Sequence, residues 1–132
     1  MKVVDTNVIA YLLIEGDHTR HAKNLLKQDS DWHAPLLWRR EFRNVLSLYS
    51  RLGDLPLQDA LRLMEEAEQL MTGKEYHINS SQILTLAASS ECSAYDCEFI
   101  ALARELDTKL ITTDKKVLRE FPDLTLPLKD HF

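Results

Sequence analysis

Short β-branched runs alternate with amphipathic stretches along the whole chain, and that alternation most restricts what it can fold into. Lys2-Val3-Val4-Asp5 opens the series, and an apolar helix follows from Asn7 to about Ile14. Asp17 is placed to cap a helix through His21, Leu25 and Leu26. Trp32-His33-Ala34 is a weak strand, and Pro35 suits the first turn of a helix that runs to Leu52 and stops at Gly53. Leu57 to Met71 is a helix closed by Gly73, because Leu57, Ala60, Leu61, Met64, Ala67, Leu70 and Met71 recur at helical spacing. Glu75 to Ile78 is a short strand, and Ser80 or Ser81 caps a helix through Ile83, Leu84 and Ala87. Tyr95 to Leu106 is helical, and Lys109-Leu110-Ile111-Thr112-Thr113 is the clearest strand. A short helix, Val117 to Phe121, precedes an edge strand from Leu124 to Leu126. Strand–helix alternation of this kind implies a parallel sheet covered on both faces.

The 132 residues form one domain, 1–132, with no repeat, linker or composition break. Acids outnumber bases by 21 to 16, and the net charge of -5 argues against a protein that coats nucleic acid by bulk charge. No apolar run approaches the roughly 20 residues of a membrane span, and the stretch before Asp5 is too short for a signal peptide. Cys92 and Cys97 lack zinc-site spacing and make no disulfide framework, so the expected setting is a reducing cytoplasm.

Ligands of α/β sheets bind beyond the carboxyl ends of the strands, and two acids stand there. Asp5 ends the first strand and Asp114 the last clear one. Each is explained equally well as a helix N-cap or as a functional acid. Glu41 interrupts an apolar stripe of Leu37, Val45, Leu48 and Leu52, where a carboxylate needs a partner. Arg39, Arg40 and Arg43 are one or two residues away and point to other helix faces, which favours a functional Glu41 over an ion pair with them. Asp96 opens its helix in line with Phe99, Ile100 and Ala103; taken alone, it reads slightly better as a first-turn acid favoured by the helix dipole.

Should the four converge, each pair near 4 Å repels by about 4 kcal/mol at an effective dielectric of 20. Such a cluster takes up protons or a cation. Oxygen-only donors select a hard ion, Mg²⁺ or in its place Mn²⁺, the usual apparatus for cutting phosphodiesters.

These residues resemble the motifs of PIN-domain nucleases. Val3-Val4-Asp5-Thr6-Asn7-Val8-Ile9 is similar to that family's opening. Leu37-Trp38-Arg39-Arg40-Glu41-Phe42-Arg43-Asn44-Val45-Leu46 is similar to its glutamate helix. Tyr95-Asp96-Cys97-Glu98-Phe99-Ile100-Ala101-Leu102-Ala103 resembles the third motif, and Leu110-Ile111-Thr112-Thr113-Asp114 the fourth. Within that family the size and motif style look like those of a VapC-type toxin. The resemblance implies an α/β/α sandwich with a central, mostly parallel four- to five-stranded sheet. It implies a Mg²⁺-dependent endoribonuclease with Asp5, Glu41, Asp96 and Asp114 as metal-holding catalytic acids. Thr6, Asn7 and Thr113 match polar positions beside them: Asn7 to orient Asp5, Thr113 to bond a ligand carboxylate or a phosphate. It further implies a homodimer, an RNA substrate, and silencing by an antitoxin protein that places an arginine in the acidic pocket. The competing readings are a PIN-fold RNA-processing nuclease that is not a toxin, and a silent scaffold that binds RNA or protein.

The remaining polar residues carry weaker signals. His18 and His21 are an i+3 pair that reads as solvent-facing, not as a metal site. The serines include no nucleophile elbow, and there is no Gly-rich phosphate loop. Trp32 and Trp38 read as packing residues rather than base-stacking ones, and Lys115-Lys116 as a solvated charge pair. Leu57, Leu61, Met64 and Met71 form a stripe for a core or an interface.

Overall fold

The computed structural model describes residues 1–131. Strand β1 (Lys2–Val4) leads into α1 (Thr6–Leu13) and α2 (Thr19–Gln28); β2 (Trp32–Pro35) leads into α3 (Leu37–Arg51) and α4 (Leu57–Met71). Then come β3 (Glu75–Tyr76), α5 (Ser80–Ala88), α6 (Ala94–Glu105), β4 (Leu110–Thr112), α7 (Lys115–Glu120), β5 (Thr125–Pro127) and a 3₁₀ turn, Leu128–Asp130. The strands form one five-stranded sheet in the order β3-β2-β1-β4-β5, every pairing parallel. The expected α/β sandwich is present, with its sheet at the upper end of the expected strand number and fully parallel.

The chain steps outward from β1 to β3 and then returns to the far side of β1. Right-handed crossovers therefore put helices on both faces of the sheet. The reversal falls between β1 and β4, where Val3 and Val4 register with Leu110 and Ile111. A crevice opens at such a switch point, beyond the carboxyl ends of the strands. Asp5 and Asp114 flank it, one residue and two residues past their strands.

The core is apolar and closely filled. Val3, Val4, Ile9, Trp32, Trp38, Phe42, Ile100 and Ile111 are fully buried. Each indole still needs a hydrogen-bond acceptor. Trp32 donates to the Asp29 carbonyl at 2.8 Å and Trp38 to Glu75 at 2.8 Å. Both tryptophans are thus packing residues, as their sequence context suggests.

Several local expectations shift. Pro35 does not start a helix; it is the last residue of β2, opposite Tyr76. Asp17 caps nothing: Thr19 takes the role of organiser, accepting the Gly16 N–H at 3.0 Å and donating to the Tyr11 carbonyl at 2.6 Å. Asn79, not Ser80 or Ser81, caps α5, accepting from the N–H groups of Ser81 and Gln82. Gly73 does follow α4 with φ of 76°, a conformation that suits glycine.

The apolar stripe on α3 also lies differently. Trp38, Phe42 and Leu46, at i, i+4 and i+8, face the core, while Leu48 and Leu52 are exposed. On α4 the buried positions are Ala60, Leu63, Ala67 and Met71, and Leu57 and Leu61 face outward. Cys92 and Cys97 are buried free thiols, their pKa values raised chiefly by that burial. No helix among the described residues is long and apolar enough to cross a membrane.

Candidate active site

A cavity of about 270 Å³ lies over the β1–β4 crevice, and Asp5, Glu41, Asp96 and Asp114 all line it. Thr6, Asn7, Asn44 and Thr112 supply the rest of its polar wall, with Val45, Phe99, Leu110 and Val117 as the apolar floor and sides. Four carboxylates therefore share one cavity, and no lysine or arginine lines it.

Each acid is placed by a different local device. Asp5 follows β1 with extended backbone and caps α1: its Oδ1 accepts the Val8 N–H at 3.1 Å. Its Oδ2 accepts the Thr112 hydroxyl in a short hydrogen bond from β4. Glu41 projects from α3, where Oε1 accepts the Thr6 hydroxyl at 2.6 Å. Asp114 caps α7, its Oδ1 accepting from the N–H groups of Lys116 at 2.9 Å and Val117 at 3.1 Å. Asp96 stands in the first turn of α6; there the cap is Ser93, whose Oγ accepts the Asp96 N–H at 3.1 Å. Asp5 and Asp114 are thus helix caps, and each also lines the cavity.

The electrostatics follow from crowding. Burial, opposed by the Thr112 and Val8 hydrogen bonds and reinforced by the negative charges of Glu41 and Asp114, pushes the Asp5 carboxyl up to about 6. Glu41 is also raised, first by burial and then by Asp96, against the Thr6 hydrogen bond. The cavity resists full ionisation, and a cation would relieve it. Its donors are carboxylate, hydroxyl and amide oxygens, which suit a hard divalent ion. Among the described residues, no three His, Cys, Asp or Glu groups form a ready-made metal cage. Mg²⁺ needs none, since it keeps several waters and is held by one or two carboxylates.

The neighbouring polar residues divide. Thr6 faces Glu41, and Asn7 lines the cavity. The hydrogen bonds on Asp5 come from Val8 and Thr112, not from the Asn7 side chain. Thr113 turns away from the carboxylates, its Oγ1 lying 3.3 Å from the Tyr11 hydroxyl. Thr112 is the residue that sequence reading missed. Its hydroxyl reaches Asp5 and also accepts the Asp114 N–H at 3.0 Å. The period of two along a strand holds the signal, since Thr112 and Asp114 share a face and Thr113 opposes it. Asn44 was equally readable, lying one helical turn after Glu41.

The arginines near Glu41 serve other ends. Arg39 is tied to Glu75 at 2.5 Å and to Glu68 at 2.7 Å, which lowers the Glu75 pKa and raises that of Arg39. Arg43 donates to the Arg39 carbonyl and borders a separate apolar groove. Arg39 therefore does not bring positive charge to the cavity.

Comparison with known proteins agrees with this geometry. Ribonuclease VapC3 of Pyrobaculum aerophilum is 27% identical over 128 residues, covering 95% of this chain and 98% of that protein. The fold is shared with the crystal structure of PAE2754 from Pyrobaculum aerophilum, at a TM-score of 0.79 and 18% identity, over 98% of this chain and 90% of the other. It is shared with FitAcB from Neisseria gonorrhoeae, at a TM-score of 0.78 and 17% identity, over 98% and 99%. A toxin-antitoxin complex from Klebsiella pneumoniae gives a TM-score of 0.67 at 17% identity, over 97% and 98%. Residues 2–124 match the PIN domain. With that match spanning nearly its whole length, the chain belongs to the PIN-domain family.

Proposed function

We propose that this protein is a divalent-cation-dependent endoribonuclease, acting as the toxin of a toxin-antitoxin pair. The observation that carries the reading is the gathering of Asp5, Glu41, Asp96 and Asp114 in one cavity at the sheet's switch point. Its likeness to a protein named ribonuclease VapC3, and to structures that include a toxin-antitoxin complex, supports the choice of RNA and of a toxin role.

Asp5, Glu41, Asp96 and Asp114 would hold Mg²⁺ or Mn²⁺. When bound, the cation supplies charge neutralisation and Lewis acidity toward the phosphodiester. The chain's own residues do the rest. Thr112 fixes the rotamer of Asp5, and Thr6 that of Glu41. Held by Val8 and Thr112, Asp5 would meet the cation as a fixed carboxylate. Asn7 and Asn44 offer amide donors at the cavity wall to the phosphate oxygens.

A partner protein would silence the site by lowering an arginine into it. A guanidinium meets carboxylates by two-pronged, charge-assisted hydrogen bonds and displaces the cation. A homodimer and a cytoplasmic site of action complete the reading. The test is cleavage of RNA with Mg²⁺ and with EDTA by the parent and by Asp96→Asn. Cleavage that needs the cation and Asp96 supports it; cation-independent cleavage, or none, overturns it.

A further inference from the structure

The ring of Tyr11 and the ring of His18 stack at 4.5 Å between centroids, tilted by 38°. His18 is exposed and Tyr11 partly so. Tyr11 is one helical turn below Asn7, on the same face of α1, and side chains on a helix lean toward its N-terminus. That lean carries the tyrosine hydroxyl up to Thr113, at 3.3 Å. The aromatic pair is thereby anchored to the residue between Thr112 and Asp114, which both line the acidic cavity, while Tyr11, His18 and Thr113 themselves lie outside its lining. The interior packing of the fold does not account for a histidine ring laid open to solvent over a tyrosine.

On the other side of Asp114 stand Lys115 and Lys116, both exposed and neither in an ion pair among the described residues. They occupy the first turn of α7, where the helix dipole disfavours positive charge. Asp114, which caps the same helix, stands beside them, and their exposed ammonium groups are available to a phosphate. The loop beside the aromatic pair carries Glu15 and Asp17, which repel phosphate. Charge thus separates the two flanks: the lysine flank suits a phosphate and the aromatic flank suits a base.

We infer that Tyr11 and His18 form a stacking platform for an unpaired RNA base next to the scissile phosphate, with Lys115 and Lys116 holding the neighbouring backbone phosphates. Bases stack on aromatic rings with little sequence preference, and unpaired nucleotides are what proteins read in RNA. The inference rests on the ribonuclease reading above. It explains how an acidic protein holds RNA without a broad basic surface.

The test uses short single-stranded RNAs of randomised sequence with Mg²⁺. The member cut fastest is remade with an abasic nucleotide on either side of the scissile bond. Expected for the parent is a KM on the order of 10-fold higher on one abasic RNA, with kcat little changed. His18→Ala and Tyr11→Leu should raise KM similarly on intact RNA and add no further loss on that abasic RNA. His18 is at the surface and Leu preserves apolar packing at position 11, so the two variants do not share a folding liability. Lys115→Ser with Lys116→Ser should raise KM on both RNAs alike and flatten its salt dependence. The platform is overturned if the aromatic variants keep the parental KM, or lose as much on the abasic RNA as on the intact one. A parent that cuts no RNA overturns instead the ribonuclease reading on which the platform stands.

Discussion

The hydroxyl of Thr112 donates to the Asp5 carboxylate across the β1–β4 pairing, and the same oxygen accepts the Asp114 N–H at 3.0 Å. One buried side chain therefore sets the positions of two cavity acids on neighbouring strand ends. Thr112→Val removes both bonds without changing the side chain's shape. It should slow RNA cleavage on the order of 10-fold or more and destabilise the fold by about 1–3 kcal/mol. Thr112→Ser should restore most of the rate. Equal rates for Val and Ser, measured at saturating RNA, would show that the hydroxyl positions nothing.

Asp5→Asn should abolish cleavage while leaving the metal-free protein equally stable or more so. The sign follows from its raised pKa. Folding favours the protonated carboxyl, so its contribution is full below the ordinary 3.8 and is lost as pH rises through about 6. The full difference is on the order of 3 kcal/mol. Thermal unfolding in EDTA at pH 4 to 7 checks this: the parent should lose stability across that window more steeply than Asp5→Asn. Parallel profiles would contradict it.

Asp96 is set in place by Ser93 bonding its backbone, not by bonds to its own carboxylate. Asp96→Asn should thus fold like the parent yet lose cleavage. Mg²⁺ at 100 times its Kd should stabilise the parent by about 2.7 kcal/mol, and the same concentration should do much less for Asp96→Asn. Equal thermal shifts would remove Asp96 from the cation site.

Arg39 provides the contrasting case. Its bonds go to Glu75 and Glu68, so Arg39→Met should cost about 2 kcal/mol of stability and leave the KM for RNA unchanged. The Glu75 side chain is 11% exposed and would be left as a poorly solvated charge. With the pKa of Glu75 held below its ordinary value, the parent's advantage over Arg39→Met is present above pH 4.5 and fades as pH falls below it. A raised KM with unchanged stability would return Arg39 to the RNA surface.

Asp5 and Asp114 were legible because a parallel sheet offers ligands one edge and residues that close strands arrive there; Glu41 stood out as a carboxylate in an apolar stripe, and Asp96, on α6, through its likeness to the third motif. Helix extents followed from apolar periodicity, and α4 runs from Leu57 to Met71 as its spacing indicates. What escaped was decided by competition between near-equal local choices. Asn79, Ser80 and Ser81 are all good caps, and backbone direction alone selects Asn79. Thr112 and Thr113 are chemically alike, and only the pleat distinguishes the one that meets Asp5 from the one that meets Tyr11. Which arginine pairs with which acid depends on tertiary placement: Glu68 and Glu75, 29 and 36 residues from Arg39, reach it only once α4 and β3 have packed.

Asp5 and Asp114 spend one carboxylate oxygen on starting a helix. An alanine at either place would therefore uncap a helix as well as discharge the cavity, whereas an asparagine keeps an oxygen for the cap while it loses the charge and, at position 5, the acceptor for the Thr112 hydroxyl. A variant made inert at these two positions is least disrupted by asparagine, and alanine there loses folding stability along with the charge.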